Sequence, residues 1–171
     1  MGGNKVGAAL GSAGLITDVD SVQRNPLGSE FMDENGNVYT YIKGVASLAA
    51  GDWVILNADG TVARSLNTPL AGPAGVAMAA IDATHYGWAQ IDGLVSATGA
   101  LGNTKQSSNI ATDASADKKP LYMSSTAGRA TTTQAAGQAI LGAWGSGAAA
   151  SNVGDAWISR PFAPGFTLAS A

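Results

Sequence analysis

Two stretches of this chain carry one pattern, and that pattern confines the fold. Residues 51–66 read Gly-Asp-Trp-Val-Ile-Leu-Asn-Ala-Asp-Gly-Thr-Val-Ala-Arg-Ser-Leu, with two apolar, β-favouring runs around Asp59-Gly60. An Asp-Gly pair between such runs signals a hairpin, because glycine accepts the positive φ that a tight turn demands. Residues 119–133 read Lys-Pro-Leu-Tyr-Met-Ser-Ser-Thr-Ala-Gly-Arg-Ala-Thr-Thr-Thr, with Gly128 at the turn. Gly60 and Gly128 are 68 residues apart, as are Trp53 and Leu121. Each hairpin is followed by a small-residue strand, Gly75–Met78 and then Ile140–Ala143. A Trp-centred strand comes next in both cases, Trp88–Ile91 and Ala156–Ser159, with the two tryptophans 69 residues apart. The chain reads as a divergent duplication of a hairpin-plus-two-strands unit, over roughly 45–98 and 119–160. This predicts an all-β fold, a β-barrel or β-sandwich of two related hairpin-rich halves with an extended N-terminal arm.

A chain of 171 residues suits one domain with a sizeable core. Residues 1–28 are rich in Gly, Ala and Ser and lack regular apolar spacing, so they read as the extended arm. Residues 29–160 form the β-rich core domain, and 161–171 a tail whose prolines oppose regular ladder pairing. Within 30–43, Asn35-Gly36 predicts a hairpin closed by a type I′ turn. Ile91–Val95 reads as strand, turn and return strand around Asp92-Gly93. Residues 99–118 read as a polar linker between the two copies, and a short helix fits near 45–50. Elsewhere helical signal is poor; the Ala-rich stretch after Gln134 is interrupted by glycines that each cost about 1 kcal/mol in a helix.

Charged residues make up 12% of the chain, about half the usual ~25%. Such a surface is poorly protected against self-association, which favours a protein covered by other subunits. A net charge of −3, with Lys118-Lys119 the only adjacent basic pair, argues against nucleic acid as a partner. No run of about 18 apolar residues predicts a membrane span. The first residues carry one lysine and a glycine-diluted apolar run, a poor signal peptide. Gly2 lacks the Ser/Thr that myristoylation requires, because that position is Val6. The absence of cysteine rules out disulfides, zinc thiolates and a cysteine nucleophile.

No constellation points to catalysis. His85 is the only histidine and follows Asp82 by three residues, but no Gly-x-Ser-x-Gly elbow exists to present a nucleophile. Residues 33–37 resemble the start of a calcium loop, yet its sixth position is Val38 and its twelfth is Gly44. A hairpin turn explains the same residues. Asp52, Asp59, Asp92 and Asp155 neighbour glycines, where turn chemistry accounts for them. Gly142–Gly147 lacks the Lys-Ser/Thr of a phosphate loop. The four tryptophans (53, 88, 144 and 157) and Tyr39, Tyr41, Tyr86 and Tyr122 sit in or beside strand patterns. They read as core or subunit-interface residues, with a sugar-stacking platform as the alternative. The expectation is a non-enzyme with no catalytic, cofactor-binding or metal residues and no cofactor.

Leu48-Ala-Ala-Gly-Asp-Trp-Val-Ile-Leu-Asn-Ala-Asp-Gly-Thr-Val, then Gly75-Val-Ala, then Gly87-Trp-Ala-Gln-Ile-Asp-Gly-Leu-Val resemble the capsid decoration, or cement, proteins of tailed bacteriophages. The resemblance spans a quarter to a half of the chain. It implies a β-rich core, a mobile or capsid-bound N-terminal arm and frequent trimeric assembly over three-fold or quasi-three-fold positions of the capsid. It also implies a virion protein on the capsid exterior, with the major capsid protein and copies of itself as partners. The family has no catalytic residues to carry over. The long 99–118 linker and the arm of nearly thirty residues depart from its pattern. The competing expectation is a receptor- or carbohydrate-binding β module of a phage fibre or surface adhesin.

Overall fold

A computed structural model describes residues 15–64, 71–95, 117–124, 126–133, 139–147 and 154–164. Among these residues there is no helix, and ten strands form one antiparallel sheet that does not close into a barrel. The strands are β1 (Glu30–Met32), β2 (Val38–Lys43), β3 (Trp53–Leu56), β4 (Val62–Arg64), β5 (Gly72–Ala77), β6 (Tyr86–Val95), β7 (Pro120–Met123), β8 (Ala130–Thr131), β9 (Ala139–Gly145) and β10 (Ala156–Ala163). The first repeat-like segment pairs in the order β4-β3-β5-β6 and the second in the order β8-β7-β9-β10, so the same connectivity appears twice. The segments meet at a three-strand junction. The end of β6 pairs with the start of β10, Leu94 facing Trp157, while the end of β10 pairs with the start of β5, Phe162 facing Pro73.

The core is layered because several strands are buried on both faces. Trp53, Ile55, Ala74 and Val76 pack with Leu121, Met123, Ile140, Ala143 and Ile158 of the second segment. The intervening Val54 and Ala77 turn the other way and pack with Ile42, Val62, Ile81 and Ala89. Beyond β2 and β6 lies an aromatic cluster of Tyr39, Tyr41 and Trp88, in which the Tyr41 and Trp88 rings meet edge-on at 5.0 Å. Strands covered on both sides explain why apolar runs such as Trp53–Leu56 do not alternate with polar residues.

Several local expectations differ from the structure. The connection between β1 and β2 is not a type I′ turn. Gly36 alone takes a positive φ (82°), and its N–H closes the turn onto the Asp33 carbonyl at 3.1 Å. The Asp33 carboxylate sets this geometry by accepting the N–H groups of Asn35 and Asn37, both at 2.9 Å. Ile91–Val95 does not turn back, because β6 runs straight through it. Gly93 (φ 97°) forms an irregularity there, filled by the Asn37 side chain, which accepts the Leu94 N–H at 3.1 Å. Residues 45–50 form turns rather than a helix, with Ser47 at φ 61°.

The N-terminal residues described, 15–28, are a strap against the sheet. Ile16 is buried on the aromatic cluster. Asp20 exchanges two backbone hydrogen bonds with Tyr86, each 2.9 Å, and accepts the Tyr41 hydroxyl at 2.7 Å. Residues 1–14 of the expected arm and most of the 99–118 linker lie outside the described residues. At the other end, β10 extends through Pro161 to Ala163, across the expected start of the tail. Proline is tolerated there because the β9–β10 register shifts between Ile158 and Phe162.

Candidate interaction surface

That register shift builds the most distinctive surface of the molecule. In a regular strand, residues an odd number apart point to opposite faces. Leu141 and Trp144 are three apart, and Trp157 and Phe162 five apart, so regular strands would split each pair. Gly142 (φ 74°) and Arg160 (φ 41°) absorb the irregularity instead. A Cβ at residue 142 would lie 2.5 Å from the Ser159 carbonyl oxygen, so the close approach requires glycine. Trp144 then faces Trp157 and Leu141 faces Phe162 across the ladder. All four are exposed, at 40%, 44%, 50% and 43%. Their strand neighbours Ala143, Ile158 and Ala163 point inward and are buried.

The apolar surface continues sideways. Trp144 is also paired with Pro120 of β7, and Trp157 with Leu94 of β6. One row thus crosses four strands as Pro120, Trp144, Trp157 and Leu94. A second row joins Leu141, Phe162 and Pro73 across β9, β10 and β5. Between them, Ser159 faces Asp92, with the hydroxyl 3.5 Å from the carboxylate. A two-pronged ion pair borders this face, both Arg160 Nη atoms donating to Glu30 at 2.8 Å. The hydrogen bond from Arg160 holds the Glu30 carboxyl below its usual range.

A second apolar area lies on the strap, where Leu15, Val19 and Val22 are 36%, 41% and 72% exposed. The strap is bonded to Tyr86 at the start of β6, whereas Leu94 sits at its end. Eight residues of strand separate these anchor points by roughly 26 Å.

The His85, Asp33 and Asp52 candidates sit in separate hydrogen-bond networks. His85 lies in an exposed turn, its Nδ1 2.7 Å from Asp82 Oδ1. The same oxygen accepts the Thr84 N–H and hydroxyl, both at 2.7 Å, and these bonds with the His85 contact hold the Asp82 carboxyl far below its usual range. The Thr84 hydroxyl donates to that carboxylate and also lies 3.0 Å from His85 Nδ1. Asp33 spends its carboxylate on its own turn and on the Tyr39 hydroxyl at 3.2 Å. Asp52 is buried and accepts the Ala49 N–H at 2.9 Å and Arg64 Nε at 2.8 Å. Among the described residues no group of three metal-ligating side chains converges, and no helix is long and apolar enough to cross a membrane.

The tryptophans divide by role. Trp53 and Trp88 are core residues, while Trp144 and Trp157 form the exposed pair. The strand patterns around Trp53 and Trp88 predict that these two are mostly buried, as they are, and leave Trp144 and Trp157 as core or interface residues. The signal those patterns passed over was Gly142, opposite Arg160-Pro161, where a regular ladder is interrupted. Comparison with protein-family models, curated proteins and solved structures finds no match.

Proposed function

We propose that this chain is a capsid decoration protein of a tailed phage. In this reading it binds the outside of the shell and stabilises it by bridging major capsid protein subunits, with copies of itself as further partners. The observation that carries the reading is the pair of separate apolar areas, one on the strap and one on the β9–β10 face, in a chain with 12% charge. Exposed apolar patches of this kind mark contact surfaces. A bridging protein needs two of them, and it needs no pocket or reactive group. The resemblance of residues 48–62 and 87–95 to cement proteins supports the same reading. Electron microscopy of the virion containing this chain tests it. The expected result is hundreds of copies over the outer surface, and a few copies confined to a fibre tip would overturn it.

The exposed Trp144–Trp157 pair favours one second reading, a carbohydrate-binding module of a fibre or adhesin, since paired indole faces suit stacking against sugar rings. Glycan-array binding that disappears in Trp157→Ala would select this reading.

A further inference from the structure

We infer that the face formed by β6, β9 and β10 binds a neutral glycan, a sugar ring stacking on the Trp144–Trp157 pair with its hydroxyls over Ser159 and Asp92. The inference rests on the carbohydrate reading above and deepens it by naming the sugar class and the groups that select it. The Pro120–Trp144–Trp157–Leu94 row spans three strand spacings, about 14 Å. Ile158, between Trp157 and Ser159, is buried, so Ser159 stands on the same outer side as Trp157, about 7 Å along the strand. Its hydroxyl lies 3.5 Å from the Asp92 carboxylate, which therefore opens on that side too. Leu141 and Phe162 stand beyond them. On β9 the position between Leu141 and Ala143 is Gly142, so no side chain rises there. The result is a shallow polar trough between two apolar walls. Apolar lining with a few convergent polar groups is the composition of small-molecule sites. At 3.5 Å the Ser159–Asp92 contact is long, and both groups keep hydrogen-bonding capacity for the hydroxyls of a ligand.

The polar floor decides among the ligand classes that could cover such a face. Asp92 lies beside Arg160, whose two Nη atoms already donate to Glu30. An apolar partner covering both walls would enclose the Asp92 carboxylate without a full set of hydrogen bonds, which is costly. An extended peptide added as a strand needs a free sheet edge, and β6, β9 and β10 are each paired on both sides. Nucleic acid is disfavoured by Asp92, by Glu30 and by the net charge of −3, all of which repel phosphate. The same carboxylates disfavour an acidic sugar. A neutral pyranose satisfies every part of the surface. Its C–H face covers an indole, and its hydroxyls donate to Asp92 and exchange a hydrogen bond with Ser159. Arg160 is held at φ 41°, a strained conformation for a residue other than glycine, and such strain gathers where a surface is shaped for binding.

An array of neutral and sialylated glycans, probed with the labelled full-length protein over a concentration series, tests the assignment. Neutral glycans should bind. Trp157→Ala and, independently, Asp92→Ala should each weaken that binding by about tenfold or more while melting like the parent. Asp92→Asn, which keeps one acceptor oxygen, should weaken it less. Binding confined to sialylated glycans would overturn the inference and leave the carbohydrate reading in place. Binding lost in Trp157→Ala but indifferent to Asp92→Ala would do the same. No binding to any glycan, or binding indifferent to Trp157→Ala, would overturn both. Electron microscopy of the virion scores the decoration reading separately. Shell-bound copies with this face buried against the capsid would overturn the inference and leave decoration standing.

Discussion

Gly128 sits where the Asp52 carboxylate leaves no room for a side chain: a Cβ built on it would lie 2.5 Å from Asp52 Cγ. The Trp53 N–H donates to the Gly128 carbonyl at 2.8 Å, and Arg64, bonded to Asp52, reaches the Ala127 carbonyl at 3.2 Å. The start of the first hairpin thus grips the turn of the second. The Gly-Asp before Trp53 acts here as a clasp between the two halves of the sheet.

Substitution at this turn should therefore cost more than backbone conformation alone. Gly36→Ala meets no neighbour within 4 Å and pays only for its positive φ, about 1 kcal/mol. Gly128→Ala has nearly the same φ but must also displace a buried carboxylate, so its expected loss is about 3 kcal/mol. Chemical denaturation of both variants checks the difference. Equal losses would mean that the clasp is not rigid.

The two classes of tryptophan should separate in the same assay. Trp53 has no exposed surface, and Trp53→Ala is expected to cost about 3–5 kcal/mol. Trp157 is 44% exposed, and Trp157→Ala should cost under about 1 kcal/mol in the isolated chain. A large loss at Trp157 under conditions where the protein is monomeric would contradict its place on the outer face.

The strap should contribute to stability. Asp20 accepts the buried Tyr41 hydroxyl at 2.7 Å and contacts Arg24 Nε at 3.0 Å. Asp20→Ala leaves that hydroxyl without this acceptor and should lower stability by about 1–2 kcal/mol. Deleting residues 2–28 removes in addition the burial of Ile16, and should shift the melting transition further in the same direction. An unchanged transition in both variants would make the strap a passive tether.

Alkaline pH should unfold the protein in a defined window. Burial, with the neighbouring Asp20 adding to it, pushes the Tyr41 hydroxyl up to about 12. Burial and then the Asp33 charge raise Tyr39 as well. A phenol whose folded value exceeds its unfolded value, near 10, stabilises the fold fully below pH 10. That stability drains as pH rises from 10 to 12, by on the order of 2 kcal/mol for Tyr41. Tyr41→Phe should start less stable near neutrality and lose less across this window. Parallel stability curves for parent and variant from pH 9 to 12 would contradict the assignment.

Local chemistry made much of the architecture legible. Asp59-Gly60 and Gly128 mark turns because positive φ is costly for other residues, and Gly60 (77°) and Gly128 (78°) adopt it. The Trp53–Leu56 and Trp88–Ile91 runs declare strands because β-branched and aromatic side chains suit a pleated surface. The all-β class and the recurring order of hairpin and two strands follow from these signals.

What lay beyond that reading depends on pairings between distant residues. Asp92-Gly93 has the composition of a turn, yet the strand continues, because Asn37 fills the space beside Gly93 and bonds to Leu94. Residues 15–28 show no periodicity, yet Ile16 and Asp20 find partners on β2 and β6, which a one-dimensional pattern does not contain. Above all, the facing of Leu141, Trp144, Trp157 and Phe162 was set by the irregularity at Gly142 and Arg160. By itself the sequence determined that these four residues were apolar and in strands. Only the tertiary structure decided that they share one exposed face, because a single interruption of a two-residue period reverses the direction of every side chain beyond it.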